Sequence, residues 1–284
     1  MAKTAVVTDS TAYIPDDLCA KLNITVVPLS VIWGHETYSD GVTITPQEFY
    51  TRLKDAKVMP STSQATPVAM QQAFSAALEK GCDVIGVFIS DKLSGTLDSA
   101  RQARAELASA QDKIVLVDSE SVGMGLGYQA LALARAAEAG ASLKELQELA
   151  KQVVPHSGVF FAVETLEFLH RGGRIGGAQR FLGSALNVKP ILTVKDGKVD
   201  SADSVRTTKK AHEKVIELVA EKCAGQSNIR LATLHANAEE SARAVLDAAS
   251  KKLGAVESIL TPVSPAIGTH TGPGTVGLAY CYGV

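Results

Sequence analysis

The stretch Asp83–Ala100, DVIGVFISDKLSGTLDSA, decides the fold. Its first half is an apolar, β-branched run (Val84, Ile85, Val87, Phe88, Ile89) of the kind a strand buried on both faces requires, and from Thr96 it reads as helix. Between them stands a polar loop, Ser90-Asp91-Lys92-Leu93-Ser94-Gly95-Thr96. In an open parallel sheet such a loop lies beyond the carboxyl end of a strand, where free N–H groups of the next helix face whatever is bound. A ligand is expected there first.

Working outward, strands alternate with helices. Lys3–Thr8 reads as a strand followed by Asp9-Ser10-Thr11 and a helix that Pro15 opens near its first turn. Ile24–Trp33 is β-rich, but Pro28 cannot donate to a ladder and predicts a bulge or an edge position. A loop is expected over Gly34–Ile44. Thr45-Pro46-Gln47-Glu48 has capping-box spacing and predicts a helix through Leu53. Ser61-Thr62-Ser63 reads as an ordered loop before a helix capped by Thr66-Pro67. Lys113–Asp118 is a strand, and a helix spans about Gly123–Ala139, where Gly123, Gly125 and Gly127 predict close approach to a neighbour or a ligand. Ser142 caps a further helix that Pro155 ends.

After residue 155 the pattern changes. Gly158–Val163 is a strand, Thr165–Arg171 a short helix, and Gly172–Gly177 a turn before a helix near Ala178–Leu186. Lys189–Lys195 and Lys198–Val205 flank Asp196-Gly197, a strong hairpin signal. Helices over Thr208–Ala224 and Glu239–Leu253 and strands over Ile229–His235, Val256–Pro262 and Thr275–Tyr280 follow. The expected fold is α/β: an N-terminal three-layer domain over 1–155 with a parallel sheet, then a two-layer α+β domain over 156–284 with a mixed sheet.

Among the 284 residues, 28 Lys and Arg nearly balance 30 Asp and Glu, and no basic tract is interleaved with aromatics, so nucleic acid is an unexpected partner. The first residues lack the apolar core of a signal peptide and no run is long enough to span a bilayer, so a cytoplasmic protein is expected. Cys19, Cys82, Cys223 and Cys281 are scattered, which argues for reduced structural thiols, with no metal and no cofactor.

Hydroxyl groups stand at three helix starts: Asp9-Ser10-Thr11, Ser61-Thr62-Ser63 and Ser94-Gly95-Thr96. Capping is the ordinary use of such residues. Thr66 already caps the helix after Ser63, however, and Ser94 with Thr96 exceeds what one cap needs, which leaves hydroxyls free to bind a carboxylate or phosphate. No Gly-x-Ser-x-Gly elbow or Ser-x-x-Lys motif marks a nucleophile there, so no catalytic residue is expected. Thr269-His270-Thr271-Gly-Pro-Gly274 reads as a tight turn presenting an imidazole. Arg171 and Arg174 sit on a glycine-rich turn, and Arg206-Thr-Thr-Lys-Lys210 puts cations at a helix start, against the dipole, where an anion would offset them.

These pieces, in order, resemble the DegV family of bacterial lipid-binding proteins. The matching residues are Thr8–Thr11, Pro60-Ser-Thr-Ser-Gln64, Leu93–Thr96 with Ser99-Ala100, Glu164–Leu169 with Arg171-Gly-Gly-Arg-Ile175, Lys189–Leu192, Arg206-Thr207, and His270 with Gly272-Pro-Gly274. One departure is Ala65-Thr66-Pro67, where many relatives have proline directly after the Ser-Gln pair; Thr62 stays in register. The resemblance implies a long-chain fatty acid held between and within two α/β domains, with its carboxylate on Thr62 and Ser94 and with His270 nearby. The ligand set expected on that basis is Thr62, Ser63, Ser94, Gly95, Thr96, His270 and Thr271. The resemblance further implies a carrier without its own catalytic cycle, the fatty-acid-binding subunit of a fatty acid kinase system. A separate ATP-dependent kinase would form the acyl phosphate that feeds phospholipid synthesis. Arg206, and more loosely Arg171 and Arg174, would contact that partner or the phosphate. The rival expectation is a small-molecule hydrolase or transferase using Ser94 and His270.

Overall fold

The computed structural model of the chain describes residues 3–181 and 188–284. In order, the elements are β1 (Thr4–Asp9), α1 (Asp16–Lys21), β2 (Ile24–Val27), β3 (Ser30–Trp33), β4 (Glu36–Ser39), α2 (Pro46–Leu53), β5 (Ser61–Ser63), α3 (Pro67–Glu79), β6 (Asp83–Phe88), α4 (Thr96–Glu106), β7 (Ile114–Asp118), α5 (Met124–Glu138) and α6 (Leu143–Val153). There follow β8 (Ser157–Ala162), α7 (Glu167–Arg171), β9 (Lys189–Lys195), β10 (Lys198–Val205), α8 (Thr208–Lys222), β11 (Arg230–His235), α9 (Glu239–Leu253), β12 (Glu257–Pro262), α10 (Pro265–Thr271) and β13 (Val276–Cys281).

Three sheets result. The first, β2-β1-β6-β7, is wholly parallel. The second, β4-β3-β5, is small and antiparallel. The third, β10-β9-β8-β13-β11-β12, is antiparallel except for the β11–β12 pair. The parallel sheet uses only residues before 155 and the six-stranded sheet only residues after it; we propose that division as the boundary between two units. α3 and α4 pack on the parallel sheet, and α5 packs on it too through β1. α5 also packs on β8 and β13, while α8 and α9 pack against the third sheet. Alternate residues of β13 accordingly enter two cores: Ala279 and Cys281 join the core around α5, Leu278 and Tyr280 the core under α8 and α9.

α5 is therefore enclosed between two sheets. Every residue from Met124 to Leu131 is buried. A helix hemmed in on both sides needs small residues where backbone meets backbone. A Cβ on Gly127 would run into the carbonyl oxygen of Ala12, and one on Gly125 would run into Ser121 Oγ and lie 3.3 Å from the Gly158 carbonyl carbon. Those two glycines answer to packing against neighbours.

Local signals formed as read where they were complete in themselves. Thr45 with Glu48 and Ser142 with Glu145 both make full capping boxes. Asp196 and Gly197 both have positive φ, as the two central residues of a tight hairpin turn require. Other expectations are corrected. Pro28 follows the edge strand β2, in keeping with the edge position expected of it, but it also divides Ile24–Trp33 into two strands of different sheets, because the chain leaves the parallel sheet where proline ends the ladder. Gly34–Ile44 contains β4, paired with β3, and Ser61–Ser63 is the strand β5, paired with the other edge of β3. α7 starts at Glu167, later than Thr165. After Gly172–Ile175 the chain forms a 3-10 turn at Gly176–Phe181, and the rest of the helix expected near Ala178–Leu186 falls outside the described residues.

Candidate functional site

His270 is not on a tight turn: it lies in α10 and is 9% exposed. Pro265 occupies the first turn of that helix, and Asp40 ties down its start, accepting from Ser264 Oγ at 2.8 Å and from the Ala266 N–H at 2.9 Å. Asp40 also accepts from Ser10 Oγ at 2.6 Å. Tyr50 donates to the Val263 carbonyl at 3.2 Å, and a Cβ on Gly268 would sit 2.9 Å from Tyr50 Cζ, so α10 lies flush on α2. This fixes the imidazole against β5, where Thr62 pairs with Val31 of β3. Thr62 Oγ1 and His270 Nε2 are 2.8 Å apart.

On the other wall, Asp9 holds the end of β6. It accepts from the Ile89 N–H at 2.8 Å and from both the N–H and the hydroxyl of Thr11, so Asp9-Ser10-Thr11 is structural. Burial outweighs those bonds and pushes the Asp9 carboxyl up to about 6. The loop after β6 is clasped to the β9–β10 hairpin: Ser90 Oγ donates to the Gly197 carbonyl and Lys92 Nζ to the Asp196 carbonyl, each at 2.8 Å. Arg174 Nε donates to the Leu93 carbonyl at 3.1 Å.

These walls line a pocket, partly open to solvent, with a polar end and an apolar body. Thr62, Ser63, Gln64, Ser94, Arg174 and His270 form the polar end; Ile89, Leu93, Val122, Phe161 and Ile267 belong to the body. Through Val122, Phe161, Ile267 and Thr271 it adjoins a second, apolar pocket that reaches Tyr13, Leu234 and Gly277. On the opposite side, Thr62, His270 and Arg174 also border an outer hollow that includes Ser61, Phe168 and Arg171. The Thr62–His270 pair thus stands between an apolar interior and a cationic mouth.

Burial first, then the nearby Arg174 charge, depresses His270 to about 4, so the ring is neutral near pH 7. Nδ1 is buried without a partner among the described residues, and a Cβ on Gly172 would overlap it, so the α7–Gly172 backbone lies directly over the ring. The linkage is testable. A histidine depressed from 6.5 to about 4 leaves the folded protein short of a proton that the unfolded chain takes up, so its contribution is full above pH 6.5 and is lost as pH falls toward 4. At 1.36 kcal/mol per unit this amounts to about 3 kcal/mol. The stability gap between the native protein and His270→Asn, followed by urea unfolding, should therefore shrink by about that amount between pH 7 and pH 4. Parallel profiles would remove the argument.

The structure brings Thr62, Ser63, Ser94, His270, Thr271 and Arg174 to one cavity. Arg171 lies in the outer hollow, paired with Glu167. Gly95 caps α4 without a side-chain bond, close to the Gln64 amide. Thr96 is fully buried and reaches the site only through Ser94, whose Oγ is 2.9 Å from its own. Arg206 is exposed between β10 and α8 and lines neither hollow. The rival hydrolase geometry is not met: Ser94 pairs with Thr96, His270 with Thr62, and no carboxylate orients Nδ1. The site also uses three residues that the expected ligand set leaves out: Gln64, Asp40 and Gly172. Gln64 had a signal in its place beside Ser61–Ser63; the roles of Asp40 and Gly172 come from residues more than 90 positions away in sequence.

The sequence model of the DegV family, described as an uncharacterised protein family, matches residues 3–283. The chain belongs to the DegV family. A DegV domain-containing protein of Deinococcus radiodurans is 36% identical over 275 residues, covering 97% of each chain. A DegV family protein of Thermus thermophilus, whose structure is described by its fatty acid binding, superposes with a TM-score of 0.93 at 35% identity over 99% of both chains. DegV of Bacillus subtilis, described as a fatty acid binding protein, gives 0.89 at 33% over 100% of both. Among the described residues of this DegV family member, no helix is long and apolar enough to cross a membrane.

Proposed function

We propose that this protein binds a long-chain fatty acid and presents it to a separate ATP-dependent kinase. On this reading the carboxylate rests on Thr62 and Ser94 beside His270, with Ser63, Gly95, Thr96 and Thr271 completing or backing the cradle. The observation that carries the reading is the adjoining pair of cavities, which share Val122, Phe161, Ile267 and Thr271 and are mostly apolar, with hydroxyls and a neutral imidazole gathered beside Gln64 and Arg174. A carboxylate entering such a place loses its water and must be repaid in hydrogen bonds, since unpaired burial costs several kcal/mol. Because Nδ1 has no partner, the tautomer with the proton on Nε2 avoids burying an unmatched donor; His270 then donates to Thr62, whose own proton is left for the ligand. Arg174 borders the same end but already gives Nε and Nη1 to the Leu93 and Gly172 carbonyls, so on this reading the acid rests chiefly on neutral donors without a tight ion pair and its oxygen stays nucleophilic.

The chain would then act as a cytoplasmic carrier with no catalytic residue, metal or cofactor of its own. The outer hollow faces the carboxylate end, and Arg171 and Arg174 at its rim suit an arriving phosphoryl group. The kinase would use that opening to form an acyl phosphate for phospholipid synthesis, with Arg206 on the docking face. Mass spectrometry of an organic extract of the purified protein should find about one fatty acid per chain; a lipid-free protein that also fails to take up oleate would overturn the reading. With a partner kinase, Arg206→Ala should lose most acyl-phosphate formation while keeping its lipid, and undiminished formation would remove Arg206 from that role.

The acyl chain would run from His270 past Phe161 and Ile267 to Gly277. A Cβ on Gly277 would lie 3.1 Å from Phe161 Cβ and 3.6 Å from Leu234 Cδ1, at the end of the second cavity. Gly277→Val should therefore shift the extracted lipids several-fold toward shorter chains with occupancy unchanged. An unaltered profile would place the tail elsewhere.

A further inference from the structure

β7 is the terminal strand of the parallel sheet, and its outer edge is open. The Ser119 N–H donates to the Phe88 carbonyl at 3.1 Å, so in this parallel ladder the backbone groups of Val115, Val117 and Ser119 face β6. By alternation, the N–H and C=O of Leu116 and Asp118 point outward, and neither residue has a backbone partner there among the described residues. Free strand edges are ordinarily blunted by lysine, proline or a bulge. β7, Ile-Val-Leu-Val-Asp, carries none of these.

Recession into a cleft takes their place. A solvent-open groove is lined by every residue from Val115 to Ser121. Its far wall is Gln147, Lys151 and Val154 from α6 and its end, with Ser157, Gly158 and Val194 of the third sheet. The groove lies where β8 and β9 part: their pairing stops at Phe160 and Thr193, short of Gly158 and Val194. A cleft with a wall facing the strand edge suits one extended chain better than the broad sheet edge of a second copy.

The charge at the carboxyl end of β7 narrows the occupant. Among the described residues that line the groove, Asp118, Glu120 and Asp196 are acidic and Lys151, already paired with Glu148, is the one base, while Lys92 reaches only the backbone carbonyl of Asp196. Burial and the adjacent Asp91 raise the Asp118 carboxyl, as crowded anions do, and Glu120 is held in the left-handed region with its N–H on Asp118 at 2.9 Å. We propose that the β7 edge is a docking site for an extended segment of a protein partner, which adds a strand through Leu116 and Asp118 and sets an arginine or lysine against Asp118 and Glu120. The site is separate from the lipid cavities and does not depend on what they hold.

The probe is a hexapeptide of alternating valine and threonine with arginine at either end, added to the full-length protein and read by amide hydrogen exchange. The expected result is at least tenfold slower exchange at Leu116 and Asp118, with Val115 and Val117 unchanged because they already bond to β6. The same peptide N-methylated on the face that would pair should bind at least tenfold more weakly, as should its version with glutamate for arginine at low salt. Asp118→Asn with Glu120→Gln should reduce binding of the arginine peptide several-fold without altering its backbone protection pattern at saturation. No protection at Leu116 and Asp118, or equal binding by the N-methylated peptide, overturns the docking site; indifference to the glutamate swap and to the double substitution overturns the charge assignment.

Discussion

Thr62→Ala combined with Ser94→Ala should weaken oleate binding by on the order of a hundredfold. Each hydroxyl that donates to a carboxylate in a dry site is worth about 1.5–3 kcal/mol, and removing both leaves the acid with few donors in an otherwise apolar wall. Two secondary effects have opposite signs. Losing Thr62 strands His270 Nε2, whose present partner it is at 2.8 Å, and losing Ser94 strands the buried Thr96 hydroxyl at 2.9 Å. The first frees the Nε2–H to donate to the carboxylate and offsets part of the lost affinity; the second costs about 1 kcal/mol of stability. A titration with oleate, run beside a urea melt, separates these. Unchanged affinity in a folded double variant would refute the head-group assignment, whereas lost affinity in an unfolded one would call for the single variants.

The second large effect is on the fold. Replacing glycine by alanine within a helix ordinarily gains about 1 kcal/mol. Gly127→Ala should reverse that sign and lose about 1–3 kcal/mol, because its methyl would run into the carbonyl oxygen of Ala12, which is backbone and cannot rotate away. Gly127→Val adds branching to the same clash and should lower the urea midpoint further. The comparison is clean because propensity and packing predict opposite directions. A raised midpoint for the alanine variant would mean that α5 has slack toward the loop after β1.

The legible parts of the fold are those whose signal is local. The two capping boxes, the Asp196-Gly197 turn and the apolar run of β6 each carry their instruction within a few residues. β4 and β5 do not. Glu-Thr-Tyr-Ser and Ser-Thr-Ser have no apolar alternation, and they are strands because β3, anchored by buried Val31 and Trp33, offers both its edges. α10 was hidden for a related reason. Its Gly268 and its Thr-His-Thr-Gly ending suit a turn, and the helix is held by Asp40 and Tyr50, more than 200 residues earlier. At the site, residue type was readable where hydroxyls exceeded their capping duty, as at Thr62 and Ser94. Gly172 was unreadable, because its role is to be absent beside an imidazole that a distant segment delivers.

α5 has a consequence for how the molecule comes apart. By chain order it belongs to the first 155 residues, yet it packs on β8 and β13 and shares one core with Val159, Leu234 and Ala279 of the third sheet. A fragment ending at residue 155 would expose that face of α5 to water, and the remaining fragment would expose the face of the sheet that α5 covers. Neither piece is then self-sufficient, and the whole chain should melt in one calorimetric transition, with the two cavities disappearing at the same temperature as the sheets that wall them.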